Sequence, residues 1–162
     1  MTHHRHSNHE RGQVALYAIL LFPMLMLVLA LVLTVGTLEA QRARLRAQLD
    51  MAALTATQAL DLAALAQGEP PQLMADEAGG LAREYLARNL AAAGVASAAS
   101  VSASAQVAVL GAGDVDPITG AVAEAPMVSI RASVPTQLSM LTLIGLPTTV
   151  TVTVTGSAAA RT

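Results

Sequence analysis

The chain of 162 residues has no cysteine, no tryptophan and no lysine, and only 2% of it is aromatic. Without cysteine, disulfides, thiol nucleophiles and zinc-thiolate centres are excluded. Without lysine there is no G-x-x-x-x-G-K-[ST] phosphate loop, and no Rossmann fingerprint occurs either. Histidine stops at His9, so no Ser/His/Asp triad can form in the rest of the chain. Charged residues make up 12% and the net charge is −2, which leaves no basic field for nucleic acid. These absences remove the common enzymatic and nucleic-acid-binding classes and imply no cofactor.

What is abundant is apolar: 54% of the residues, mostly alanine plus one concentrated block. From Val14 to Leu38 no residue is charged. At about 1.5 Å per residue that run spans roughly 37 Å, enough to cross a hydrocarbon core of about 30 Å with some tilt. It is longer than the apolar region of a cleaved secretory signal, and VGTLEAQ after it is a poor small-x-small site. Pro23 sits inside the run and predicts a bend, while Ala15, Ala18, Ala30 and Gly36 are small residues suited to lateral helix packing. Arg5 and Arg11 precede the run and Arg42, Arg44 and Arg46 follow it, so arginine count alone leans slightly towards a cytoplasmic C-terminal side.

Beyond the run, Leu38, Leu45, Leu49, Ala52, Ala53, Ala56, Leu60 and Ala63 recur mainly at spacings of three, four and seven. No proline or glycine falls between Thr37 and Gln67, so a single helix is expected from Gln13 to Gln67, ended by Gly68, Glu69, Pro70 and Pro71. A second helix is expected from about Asp76 to Ala93, stopped by Gly94, with Glu84 and Arg88 paired one turn apart. Three alternating stretches then read as strands: VSASAQVAV from Val101, MVSIRASV from Met127 and TVTVTVT from Thr149. Between them lie a polar hairpin tip, GAGDVDPITGAVAEAP, and an apolar hook, QLSMLTLIGLP. The expected fold is α+β: a long stalk helix carrying a second helix and a small antiparallel sheet of about three strands, whose apolar face the stalk covers. The divisions are a polar leader (1–12), a transmembrane helix (13–38), an amphipathic continuation (39–67) and an α+β head (68–162).

The N-terminal third resembles TadE- and TadG-like pilus-assembly proteins of the tight-adherence (Flp) system. The resemblance rests on Arg11, Gly12 and Gln13 ahead of the apolar run, on Pro23 about a third of the way into it, and on LRAQLDMAAL after it, with Leu49, Asp50, Ala52, Ala53 and Leu54 as the motif. It implies a single-pass anchor in the bacterial cytoplasmic membrane, with the leader cytoplasmic and the head outside, the reverse of the arginine lean. It also implies the lipid bilayer and other pilin-like or Tad subunits as partners, and Gly12 and Gln13 as the candidate site for a prepilin peptidase. Pilin-like precursors carry glutamate five residues after the processed glycine, where this chain has Tyr17. TadG-like members often carry a late aspartate in the membrane helix, where this chain has Thr34. Both departures favour an accessory subunit over a major pilin.

Two constellations have chemical readings that their context opposes. His3, His4, His6 and His9 form a metal-capable tract whose plainer reading is a polar tail. Asp114 and Asp116 are a fragment of a calcium loop lacking its downstream glutamate, and a turn is the better reading. Asp50 is expected to be a solvated or locally paired carboxylate. The expected role is a non-enzymatic structural or accessory part of a Tad/Flp-type pilus or related secretion apparatus. The alternative is a membrane-anchored adhesin or ligand-binding module unrelated to pili.

Overall fold

A computed structural model describes residues 7–137 and 149–160, with side chains for 17–136 and 149–160. Helix α1 (Ser7–Ala56) is followed by α2 (Leu62–Ala66), α3 (Ala75–Ala92), α4 (Ala98–Ser104), β1 (Gln106–Leu110), β2 (Met127–Gln137) and β3 (Thr149–Ala159). The architecture is α+β, with a long apolar N-terminal helix and a three-stranded antiparallel sheet in the order β1-β2-β3.

Helix α1 changes character along its length. Tyr17 to Val35 is almost wholly exposed, with Ile19, Leu20, Phe22, Met24 and Leu31 all more than half accessible. From Leu45 the stripe of Leu45, Leu49, Ala52, Ala53 and Ala56 is buried, as its spacing predicts, and Leu38 packs partly against the same core. The covered face reaches back into the apolar run, where Thr34 is buried and Ala30 half-buried. Thr34 answers its hydroxyl within the helix by donating to the Ala30 carbonyl at 2.7 Å.

Helix α1 ends at Ala56 rather than Gln67. The Thr57 hydroxyl donates to the Leu54 carbonyl at 2.7 Å, and Asp61 caps a new short helix by accepting from the backbone N–H groups of Ala63 and Ala64. Leu60 forms a β-bridge with Leu73, so Ala63 leaves the stripe and is exposed. Absence of proline and glycine was the wrong stop signal; Thr55, Thr57 and Asp61 supply the right one.

Helix α3 buries Ala78, Ala82, Leu86 and Leu90, a row at steps of four, against α1. Its end matches expectation in chemical detail: Gly94 takes φ +80°, and the N–H groups of Gly94 and Val95 donate to the carbonyls of Ala91 and Leu90. Arg88 meets Glu84 at 2.6 Å on the wet face.

The first expected strand is half helix. Ala98, Val101, Ser102 and Ala105 are buried at spacings of three, one and three, so the VSAS portion joins α4 and only Gln106–Leu110 pairs with β2. Small alanines and serines satisfy both periods, and packing on α3, where the Ser102 hydroxyl donates to the Arg83 carbonyl at 2.5 Å, selects the helix. The other two strands occur, and both extend further than the alternation: β2 pairs with β3 along its whole length, from Met127↔Ala159 to Gln137↔Thr149. Val128, Ile130, Ala132, Val134, Val152 and Val154 face the core beneath the helices. β1 leaves β2 at Arg131, so among the described residues no strand pairs with that side of β2 where Pro135 occurs. Of the apolar hook, residues 138–147 lie outside the described residues.

Candidate functional site

The candidate functional features of the head are surfaces and the contacts that hold them. The first is the junction of α1 with β3. Leu49, Ala52 and Ala53 of the family-like motif are buried, whereas Leu54 is 51% exposed on the far face. Asp50 does not simply face water. Its Oδ1 accepts from the backbone N–H of Ser157 at 3.1 Å, and its Oδ2 lies 4.0 Å from Arg46 Nε.

This approach is allowed by a glycine. A Cβ placed on Gly156 would stand 2.6 Å from Leu49 Cβ and 2.8 Å from the backbone nitrogen of Asp50. The helix therefore lies against the bare backbone of an edge strand, and the Asp50 carboxylate occupies one of that edge's donors. From sequence Asp50 is expected to be solvated or locally paired, and nothing local to it points to a strand so far along the chain. Asp50→Ala is expected to lower stability by about 1 kcal/mol, the size of one lost hydrogen bond. Asp50→Asn, which keeps an acceptor, should lose less. Thermal unfolding of the detergent-solubilised full chain measures both.

The second feature is the segment between β1 and β2. It is not a free polar tip but folds back over the outer face of the sheet. Asp116 is fully buried and accepts from Ile118 N–H at 2.8 Å, the Thr119 hydroxyl at 2.6 Å and the Ser129 hydroxyl of β2 at 2.8 Å. Arg131 of β2 donates to the Ile118 carbonyl, and Asp114 accepts from Gly111 N–H at 2.7 Å. Burial pushes the Asp116 carboxyl up, but its hydrogen bonds outweigh that and hold it below the ordinary carboxylate value. With Asp116's oxygens occupied by protein donors, the pair acts as a turn organiser and not as a cation loop.

The third is the exposed span of α1, which continues helical through Pro23. At about 100° per residue, Ala18 and Gly36 lie on one face, while Pro23 and Ala30 lie on the face that leads to buried Thr34. The small residues thus form two tracks instead of one stripe. Ala18, Pro23 and Gly36 are exposed, and a Cβ on Gly36 would meet nothing within 4 Å. Gly12, Gln13 and Ala15 lie in the α1 backbone outside the residues whose side chains are described, as does His9, and His3, His4 and His6 lie outside the described residues.

Two clefts flank the lower head. One, of about 610 Å³, runs between α1 and the β3 edge and holds Arg42, Arg46 and Arg131. The other, of about 540 Å³, is lined by Gln41, Arg44, Val95, Val134 and Thr136, among others. Among the described residues no group of three or more His, Cys, Asp or Glu side chains is gathered to hold a metal.

Residues 12–59 match the Tad family model, described as "Putative Flp pilus-assembly TadE/G-like". The match covers α1 from its second turn to its end and the turn beyond it, including Asp50. It is the family read from the Arg11, Pro23 and Asp50 motifs, and it supports a pilus-associated role and interaction with other pilus-assembly components. The one long apolar helix among the described residues fits a single-pass membrane protein. No curated protein and no solved structure matches the chain.

Proposed function

We propose that this chain, with its TadE/G-like α1, is a non-enzymatic structural or accessory subunit of a Tad/Flp-type pilus or related secretion apparatus. It is anchored in the bacterial cytoplasmic membrane by 13–38, with the leader cytoplasmic and the head outside. The observation that carries the reading is one helix with two surfaces. Its family-matched length presents an apolar span to its surroundings, and the same helix, past Leu45, is the spine on which the head is built.

The division of labour follows from the physics. Lateral packing of the span in lipid relies on close contact at small residues, and the Ala18–Gly36 and Pro23–Ala30 tracks offer two such faces. The same helix runs unbroken from the span into the head, whose core packs on it from Leu45 onward, so the span's position is carried to the head. Tyr17, where pilin-like precursors have glutamate, favours an accessory subunit over a fibre-forming one. Gly12 and Gln13 remain the candidate processing site, and a prepilin peptidase the enzyme that would act there.

Deletion of the gene is expected to abolish surface fibres or adhesion, read by electron microscopy and surface binding; unchanged pili would overturn the assembly role. Protease protection in spheroplasts tests topology, and a protected head would reverse the orientation. Mass spectrometry of the mature N-terminus distinguishes a start at Gln13 from a retained leader.

A further inference from the structure

The cleft between α1 and the edge of β3 gathers Arg42 and Arg46 from the helix and Arg131 from β2, beside Glu39, Thr153 and Thr155. Three arginines and one glutamate line it, with the Asp50 carboxylate 4.0 Å from Arg46, in a chain whose net charge is −2. Neither helix arginine is committed to the fold: both are exposed, and Arg46 meets Asp50 only at 4.0 Å across a wet contact. Arg131 is tied to the Ile118 carbonyl by one nitrogen, which leaves further donors on its fork.

We propose that this cleft binds the phosphate of an anionic lipid headgroup. The assignment rests on the reading of α1 as a membrane span. Three observations support it. Arg42 stands four residues, about 6 Å, past Leu38, and Arg46 about 12 Å past it, whereas the headgroup layer extends roughly 5–8 Å beyond the hydrocarbon. Side chains on a helix lean towards its N-terminus, so on α1 both arginines lean towards the span and can extend down to the headgroup layer. The guanidinium fork matches phosphate oxygens in pairs, which suits arginine at all three positions. A lipid ligand would also account for arginines placed directly after the span, where the topology signal disfavours them if the head is outside.

Arg44 provides the control. It lies between Arg42 and Arg46 in sequence but lines the other cleft, so it has the same charge and depth without the same site. The full chain in dodecyl maltoside is titrated with dioleoylphosphatidylglycerol or dioleoylphosphatidylcholine, and bound lipid is counted by native mass spectrometry. Phosphatidylglycerol should bind preferentially. The double variant Arg42→Gln/Arg46→Gln should weaken that binding by about tenfold or more, as expected for two headgroup-level arginines. Arg44→Gln should leave it unchanged.

Equal binding of the two lipids, or an equal loss in Arg44→Gln, would overturn the site. Displacement of phosphatidylglycerol by equimolar inorganic phosphate would assign the cleft to free phosphate and overturn the lipid source. Alkaline carbonate extraction of cell membranes separates the premise: release of the chain overturns the membrane reading, whereas retention with no lipid preference overturns the cleft alone.

Discussion

Replacement of Gly156 by valine is expected to cost at least about 3 kcal/mol of stability, the upper end of what an overpacked core position costs. The contact that forbids a side chain lies at the Cβ itself, 2.6 Å from Leu49 Cβ and 2.8 Å from Asp50 nitrogen, so rotamer choice gives no relief. One neighbour is backbone, and α1 must lift from β3 to make room. That movement would also open the Asp50–Ser157 hydrogen bond. Gly156→Ala should therefore carry most of the loss, and the two extra methyl groups of valine a smaller part. Valine at Ser157, one residue on and exposed, should stay within about 0.5 kcal/mol of the parent. Thermal unfolding of the detergent-solubilised full chain, followed by circular dichroism, compares all three. An alanine variant as stable as the parent would show that α1 does not seat on β3 in this register.

Asp116→Ala should be comparably severe, at about 3 kcal/mol, since it leaves the Ile118 N–H and the Thr119 and Ser129 hydroxyls without their shared acceptor at a buried position. Asp116→Asn keeps one acceptor oxygen and should lose less. The same carboxylate makes stability depend on acid. Its folded pKa is lowered relative to an unfolded value of about 3.9, so the folded state binds the proton less readily than the unfolded one. The stabilisation is then fully present above about pH 4 and is lost as pH falls through the depressed folded value. The parent should lose stability below pH 4 along a steeper slope than Asp116→Asn, measured by unfolding at stepped pH. Parallel slopes would mean that Asp116 is not held ionised by its donors.

Much of this molecule is written in short windows of sequence. The uncharged stretch after Val14 declares a helix long enough to cross a bilayer, and the Leu45–Leu49–Ala52–Ala53–Ala56 stripe declares which face of its continuation is covered. The alternations at Val128–Val134 and Val150–Val154 give strands whose inward residues are buried, Val150 excepted at the open end, while on the outer face Ser129 is buried under the Asp116 turn. Gly94 marks its helix end because only a residue tolerant of positive φ closes it so cheaply.

Where reading failed, two periods or two stop signals competed. Val101 to Ala105 satisfies a strand's period of two and a helix's steps of three and four equally, because alanine and serine carry too little apolar area to decide. Proline and glycine put the α1 terminus at Gln67, while the hydroxyl and carboxylate chemistry of Thr57 and Asp61 sets it eleven residues earlier, at Ala56.

The sequence by itself determined the long apolar helix with its buried stripe, the helix ended by Gly94, the second and third strands and the motif within the family-matched segment, because strong helical and strand periods and a short motif are local properties. Only the tertiary structure decided that Asp50 holds an edge strand 107 residues away, that Gly156 is bare because a helix lies on it, and that the Asp114–Asp116 turn is folded onto the sheet. It likewise brought Arg131 beside Arg42 and Arg46. Each of these is a match between a donor or a gap in one element and an acceptor or a surface in another. Such pairings are fixed by packing, which sums many weak contacts over the whole chain, and no window of neighbouring residues encodes them.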